Sequence, residues 1–250
     1  MRAILMADGV VGSNIAKYLI GNFLKDLYLV VVTKESGLYE VLANQGINTI
    51  VYESEQQVLD CLNFENIDVG ILAWWPHILK GPLINYPKLG FINTHPSLLP
   101  FNRGKHPSFW AIVEQAPFGV SIHHATKEID SGKIIAQKRI NYDWCDSGES
   151  LYSRSQKEMV KLFESVYPVL RMGNMREVSQ GNSDEGSFHF SCEIEQASKI
   201  NLDESYLGRE LLNKLRAKTF FGHSGCWFEE DGITYNITVN ITKKEPKEKK

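Results

Sequence analysis

The sequence predicts an α/β fold: a mostly parallel sheet covered by helices on both faces, followed by a small C-terminal α+β appendage. Three observations carry this expectation. Short apolar runs alternate with amphipathic stretches through the first half of the chain, the pattern of right-handed strand–helix–strand crossovers. Those runs are continuous rather than alternating, as strands buried on both faces must be. Beyond residue 171 the stretch RMGNMREVSQGNSDEGSF, rich in Gly, Asn and Ser, interrupts the pattern and marks a boundary.

Taken in order, residues 2–6 read as a buried strand and 13–24 as a helix. Residues 27–32 form a β-branched strand, 38–44 a helix, 49–51 a short strand and 53–62 another helix. Apolar strands follow at 69–74 and 90–93. The succession describes a Rossmann-like open sheet. Val120 and Ile122, then Ile134, Ile135 and Ile140, predict two further strands joined by a loop at 126–132, and 147–172 reads as one long helix. In the appendage, 203–217 is an amphipathic helix with Leu207, Leu211, Leu212 and Leu215 on one face. Strands at 226–229 and 233–241 flank Glu230-Asp231-Gly232, a hairpin signal. The expected division is a catalytic domain over 1–182, a helix plus β-hairpin over 183–242, and a solvated charged tail, KKEPKEKK, over 243–250.

Composition narrows the function. The 250 residues carry a formal net charge of −3, so no strong basic field exists to gather nucleic acid. No apolar run approaches the ~20 residues that cross a bilayer. The first residues lack a basic region and a small-residue cleavage site, which predicts a cytoplasmic protein. Four scattered cysteines, with no C-x-x-C pair, predict free thiols and no metal site.

The densest cluster of chemistry-bearing residues is FINTHPSLLPFNRGK at 91–105. Asn93 and His95 stand just past a predicted parallel strand, where ligands bind in open α/β sheets. Two residues apart, they leave an extended chain on the same side. Asp130 lies in a later loop, before Ser131-Gly132. Each residue alone has a plainer reading: an Asx cap, a surface imidazole, a turn residue. Near the N-terminus, Gly12, Ser13 and Asn14 could present backbone N–H groups to a phosphate at a helix start, or simply cap the helix. The segment fails G-x-G-x-x-G, so a nicotinamide cofactor is not supported.

The combination N-T-H-P-S-L-L-P-x-x-R-G, then G-V-S-I-H, then I-D-S-G-K-I-I, resembles the formyltransferase family that uses 10-formyltetrahydrofolate. The likeness spans roughly the first 170 residues. It implies a catalytic trio of Asn93, His95 and Asp130, with no departure at any of the three. The chemistry suits them. An amine attacks the formyl carbon and negative charge develops on its oxygen, which an Asn amide and a protonated His can meet. A carboxylate can take the amine's proton and hold the His charged. The resemblance further implies a pterin-binding loop at 73–80 with Trp75, His77 and Ile78. Arg103 and Gly104 serve the same cosubstrate, and the loop at Thr126 to Asp130 closes over its ring.

For the acceptor, the likeness favours the sugar-nucleotide branch. R-G-x-x-P followed by W-A-I appears at 103–112, and R-A-K-T-F at 216–220. Gly12, Ser13, Asn14, Lys80 and Trp110 are then assigned to the acceptor, with Phe220, Phe221 and Trp227 as stacking partners for a base. Trp110, Phe220, Phe221 and Trp227 read equally well as core residues. The expected substrate is a thymidine-diphosphate-linked 4-amino-4,6-dideoxyglucose, for surface polysaccharide. The expected assembly is a homodimer joined through residues 220–242. Glycinamide ribonucleotide formylation and a non-catalytic nucleotide-binding domain are the alternatives.

Overall fold

A computed structural model describes residues 1–34, 37–181 and 186–244. Its centre is a seven-stranded sheet. In chain order come β1 (Ala3–Ala7), α1 (Gly9–Phe23), β2 (Leu27–Val32), α2 (Leu38–Ala43), β3 (Thr49–Val51), α3 (Glu55–Leu62), β4 (Val69–Ala73) and β5 (Phe91–His95). Then follow β6 (Arg103–Gly104), α4 (Pro107–Val113), β7 (Gly119–His124), β8 (Ile134–Arg139) and α5 (Gly148–Arg171). The strand order is β3-β2-β1-β4-β5-β7-β8. The first five strands run parallel, and the last two join antiparallel.

Both faces of the sheet are covered, as the continuous apolar strands require. Along β1, Ala3, Leu5 and Ala7 face the cluster that holds Ile15, Leu19, Phe163 and Tyr167 from α1 and α5. Ile4 and Met6 face the opposite cluster with Val58, Leu62, Leu83 and Phe91. Helix α5 starts at a capping box between Ser147 and Ser150. It ends with Tyr167 donating to Asp26 at 3.0 Å and Arg171 at 2.5 Å from the same carboxylate. That ties the helix to the turn before β2. None of the helices among the described residues is long and apolar enough to cross a membrane.

The appendage comprises β9 (Phe188–His189), α6 (Glu193–Ser198), α7 (Gly208–Ala217) and the hairpin β10 (Cys226–Glu230) and β11 (Ile233–Ile237). Asp231 and Gly232 turn the hairpin with φ of 50° and 76°, the two positive values a type I′ turn requires. A small core of Ile200, Leu215 and Cys226 lies beneath it, flanked by Leu211, Phe228 and Ile237. The expected Leu face is only half right. Leu211 and Leu215, one turn apart, face this core, whereas Leu207 and Leu212 are exposed. The remaining inward positions of α7 hold Asn213, Arg216 and Ala217, all buried. Arg216 donates to the carbonyls of Asp143 and Asp146 at 2.7 and 2.8 Å, which fastens α7 to the catalytic domain.

Two short helices, α4 and α6, and the β6–β9 pair were not foreseen. The hairpin stops at Ile237 rather than 241. The boundary expected between 182 and 183 lies outside the described residues, as do tail residues 245–250. Lys243, at the start of that tail, pairs with Asp143 at 2.7 Å.

Candidate active site

Strand β5 ends in Asn93-Thr94-His95. Thr94 turns away from its neighbours: its hydroxyl accepts from the Trp74 N–H at 2.9 Å and donates to the Leu72 carbonyl at 3.0 Å, stitching the exit of β4 to β5. Asn93 and His95 leave on the opposite face. Antiparallel β7 sets His123 opposite Asn93 and Ser121 opposite His95. Ser121 donates to the Ser97 carbonyl at 2.7 Å and accepts from the Leu99 N–H at 3.1 Å, which fixes the loop leaving β5.

Asp130 arrives from the loop between β7 and β8 with a left-handed backbone, φ 53°, a conformation Asp tolerates better than most residues. The turn depends on Gly132, where a Cβ would lie 1.8 Å from the His124 carbonyl oxygen. The chain thus places three polar side chains around one point. His95 Nδ1 lies 3.3 Å from Asp130 Oδ2, and Asn93 Nδ2 donates to Asp130 Oδ1 at 3.3 Å. The Gly104 N–H donates to Oδ2 at 3.0 Å. His123 completes the cluster: its Nε2 is 3.2 Å from Asn93 Nδ2 and 3.5 Å from Asp130 Oδ1. His123 Nδ1 donates to the His124 carbonyl at 2.9 Å, which turns Nε2 toward Asn93 and Asp130. The Asn93 amide nitrogen thus lies within reach of both His123 and Asp130.

Burial pushes the Asp130 pKa upward, but the charge of His95, the contact with His123 and the Gly104 N–H outweigh it. The carboxyl sits well below its usual range and stays ionised. His95 moves the other way from expectation. Burial lowers its pKa, and the opposing pull of Asp130 does not make up the difference. Asp130 also orients the ring across their 3.3 Å contact.

These residues lie at the carboxyl ends of the strands in a cavity of about 790 Å³. Trp75, His77, Ile78, Gly104 and Thr126 line it together with Asn93, His95 and Asp130, so most of the expected cosubstrate residues meet. Trp75 Nε1 is buried with no partner among the described residues, a donor set in the wall. His77 stacks on Tyr52 at 5.0 Å. Arg103 is outside the lining; it serves through its backbone, which pairs with β9 and presents Gly104.

The acceptor residues divide. Phe220 lines the main cavity and also a second one of about 460 Å³, which Phe221 and Arg216 help to form. Trp110 is instead a core residue. Its indole is buried and covered by the His189 ring at 3.8 Å and 7°. Trp227 lines neither cavity and lies under Lys199 at 4.7 Å. Lys80 is exposed outside the lining, its N–H given to Glu55 at 2.6 Å. Gly12, Ser13 and Asn14 are also away from the cavity. Helix α1 starts earlier than expected, at Gly9, so the Gly12 N–H is already spent on the Asp8 carbonyl at 2.9 Å. Gly12 is there for packing: a Cβ would meet Ala7 and Ala73 backbone at 2.9 Å.

Sequence reasoning overlooked His123, although its G-V-S-I-H motif had been noted, and it overlooked Phe188 and Phe190 in the cavity wall. It also passed over a basic rim of Lys105, His106, Lys218 and His223. Burial lowers the His106 pKa, and nearby Lys218 and Lys105 lower it further. These basic side chains come from two distant stretches of chain, so no local run announces them.

The formyl transferase family matches residues 31–167, and the N-formyltransferase dimerization C-terminal domain matches residues 193–243. The dTDP-4-amino-4,6-dideoxyglucose formyltransferase of Mycobacterium bovis is 28% identical over 158 residues, 63% of this chain and 67% of that protein. A 4-N formyltransferase from Francisella tularensis has the same fold, with a TM-score of 0.82 at 23% identity over 97% of this chain and 98% of that one. An N-formyltransferase from Helicobacter canadensis, solved with folinic acid and dTDP-3-aminofucose, superposes with a TM-score of 0.69 at 16% identity over 96% of each chain. With more than half its length matched and the N-formyltransferase dimerization domain behind it, the chain belongs to the formyl transferase family.

Proposed function

We propose that this enzyme moves the formyl group of 10-formyltetrahydrofolate to the amine of a thymidine-diphosphate-linked 4-amino-4,6-dideoxy sugar, with Asn93, His95 and Asp130 as its catalytic residues. The observation that carries the reading is the ionised, buried Asp130 held between His95 and Asn93 on the wall of one large cavity. The amine nitrogen bonds to the formyl carbon, and the electron pair of the C=O bond moves to oxygen. Asp130 accepts a proton from the amine. Asn93 turns its amide from the long 3.3 Å contact with Asp130 toward the developing oxyanion, since such bonds tighten only as charge appears. His95, on the same wall, is the second donor to that charge. The pair on oxygen then re-forms the C=O bond as the bond from carbon to the folate nitrogen breaks, and Asp130 passes the amine's proton to that nitrogen.

Trp75, His77, Ile78 and Thr126 flank the space for the pterin. For the acceptor, the rim cations Lys105 and Lys218, with the His223 ring beside them, suit a diphosphate. Phe220 and His223 border both cavities, so a base extending past the diphosphate reaches Phe221 and Arg216. Stacking there is worth ~1–3 kcal/mol. Trp110 and Trp227 have no part in this route. The assembly we infer is a homodimer through the appendage, where Leu207, Leu212, Ile233 and Tyr235 are exposed and would be covered by a second copy.

The test is a steady-state assay with 10-formyltetrahydrofolate and a panel of acceptors. The dTDP-linked 4-amino sugar should give the highest kcat/KM, ahead of its 3-amino isomer and of glycinamide ribonucleotide. A higher value for glycinamide ribonucleotide would overturn the assignment.

A further inference from the structure

We propose that Gln180 is a positioning residue for Asp130, part of a clasp by which the segment leading into the appendage sets the catalytic carboxylate. The proposal rests on the reading of Asp130 as the proton acceptor. One amide does the holding: Gln180 Nε2 donates to the Asp130 carbonyl at 2.8 Å and to the Gly132 carbonyl at 2.7 Å. Both of its hydrogens are used on the two carbonyls that bracket the left-handed turn at Asp130, φ 53°. Carbonyl directions follow the backbone dihedrals, so fixing both fixes how the Asp130 side chain leaves the chain. Two residues earlier, Val178 exchanges a pair of backbone hydrogen bonds with Ile134, each 2.8 Å. That bridge anchors Gln180 against β8.

The same segment also governs the other side of Asp130. The Gly104 N–H that donates to Oδ2 belongs to β6, and β6 is held by β9. Arg103 N–H donates to the Ser187 carbonyl at 2.9 Å, and Lys105 N–H to the His189 carbonyl at 3.0 Å. Ser187 Oγ accepts from the Asn102 N–H at 3.1 Å. The turn that carries Asp130 thus leans on Val178 and Gln180, and the strand that donates to it leans on Ser187 and His189. Neither Gln180 nor Ser187 lines the cavity, so the clasp acts on the carboxylate and not on the substrates.

The discriminating variants are Gln180→Met, which keeps length and loses both donors, and Gln180→Glu, which at neutral pH offers a carboxylate in their place. Each is assayed alone and combined with Asp130→Asn. The expected result is a kcat roughly tenfold lower or more, since a small misplacement of a catalytic group is costly. KM for both substrates should change by less than about twofold. In the Asp130→Asn background the same substitutions should have almost no effect on the remaining rate, because residues that act through one another are not additive. An unchanged kcat, or an equal fall in both backgrounds, overturns the clasp; the second outcome marks a merely structural glutamine. Should Asp130→Asn itself turn over normally, the catalytic reading fails, and the clasp with it. A slow Asp130→Asn beside a fast Gln180→Met removes the clasp alone.

Discussion

Replacing Asp130 by Asn should lower kcat by ~10³-fold, within the ~10²–10⁴ that a positioned proton acceptor supplies. The structure explains why the loss should be large. A carboxylate with so little exposure stays ionised only because His95, His123 and the Gly104 N–H are arranged around it. The Asn amide keeps one acceptor oxygen, cannot take a proton, and turns a donor toward groups that are themselves donors. Initial rates at saturating substrates give the measurement, and a thermal shift with the acceptor shows whether binding survives. A rate within about threefold of wild type would remove Asp130 from the mechanism.

The second large effect belongs to Asn93 and His95. Each truncated to Ala should cost ~10²–10³ in kcat, the usual loss on deleting one donor to a developing oxyanion, or ~3–4 kcal/mol of barrier. KM should move little, because charge on the formyl oxygen appears only in the transition state. The two losses should not add in the double variant, since both groups serve one oxygen and both touch Asp130. His95 is buried, so its removal also leaves a void. Circular dichroism separates that structural cost from the kinetic one. Wild-type kcat in either single variant would contradict the role given to that residue.

How far the sequence could be read follows from which contacts are local. The strands of the parallel sheet were legible because burial on both faces leaves continuous apolar runs; β2 and β3 were placed to the residue. Asn93, His95 and Asp130 were legible through a long motif, and the fold brings them together at the end of β5. What escaped depends on contacts between distant segments. The β6–β9 pair has two residues per strand, too few to show a period. The start of α1 was set four residues late because Gly9 and Val10 carry no capping signal; Asp8 occupies the N-cap without a side-chain hydrogen bond. Trp110 and Trp227 were candidates for ligand stacking because an aromatic in a core and one in a binding site look alike in sequence. Only the His189 ring lying flat on Trp110 decides that case. The proposed work of Gln180 joins positions fifty residues apart, and nothing near it in the chain suggests it.

The central claim, direct transfer of a formyl group to an amine on the Asn93–His95–Asp130 surface, is tested most directly by following the group itself. The enzyme is mixed with carbon-13-labelled 10-formyltetrahydrofolate and the amino-sugar nucleotide. Intact-protein mass and the carbon-13 spectrum are then read through a single turnover. The label should pass to the acceptor as a formamide while the protein's mass stays constant. A formylated protein that forms and decays at the rate of turnover would contradict direct transfer, and so would label released as free formate with no formamide.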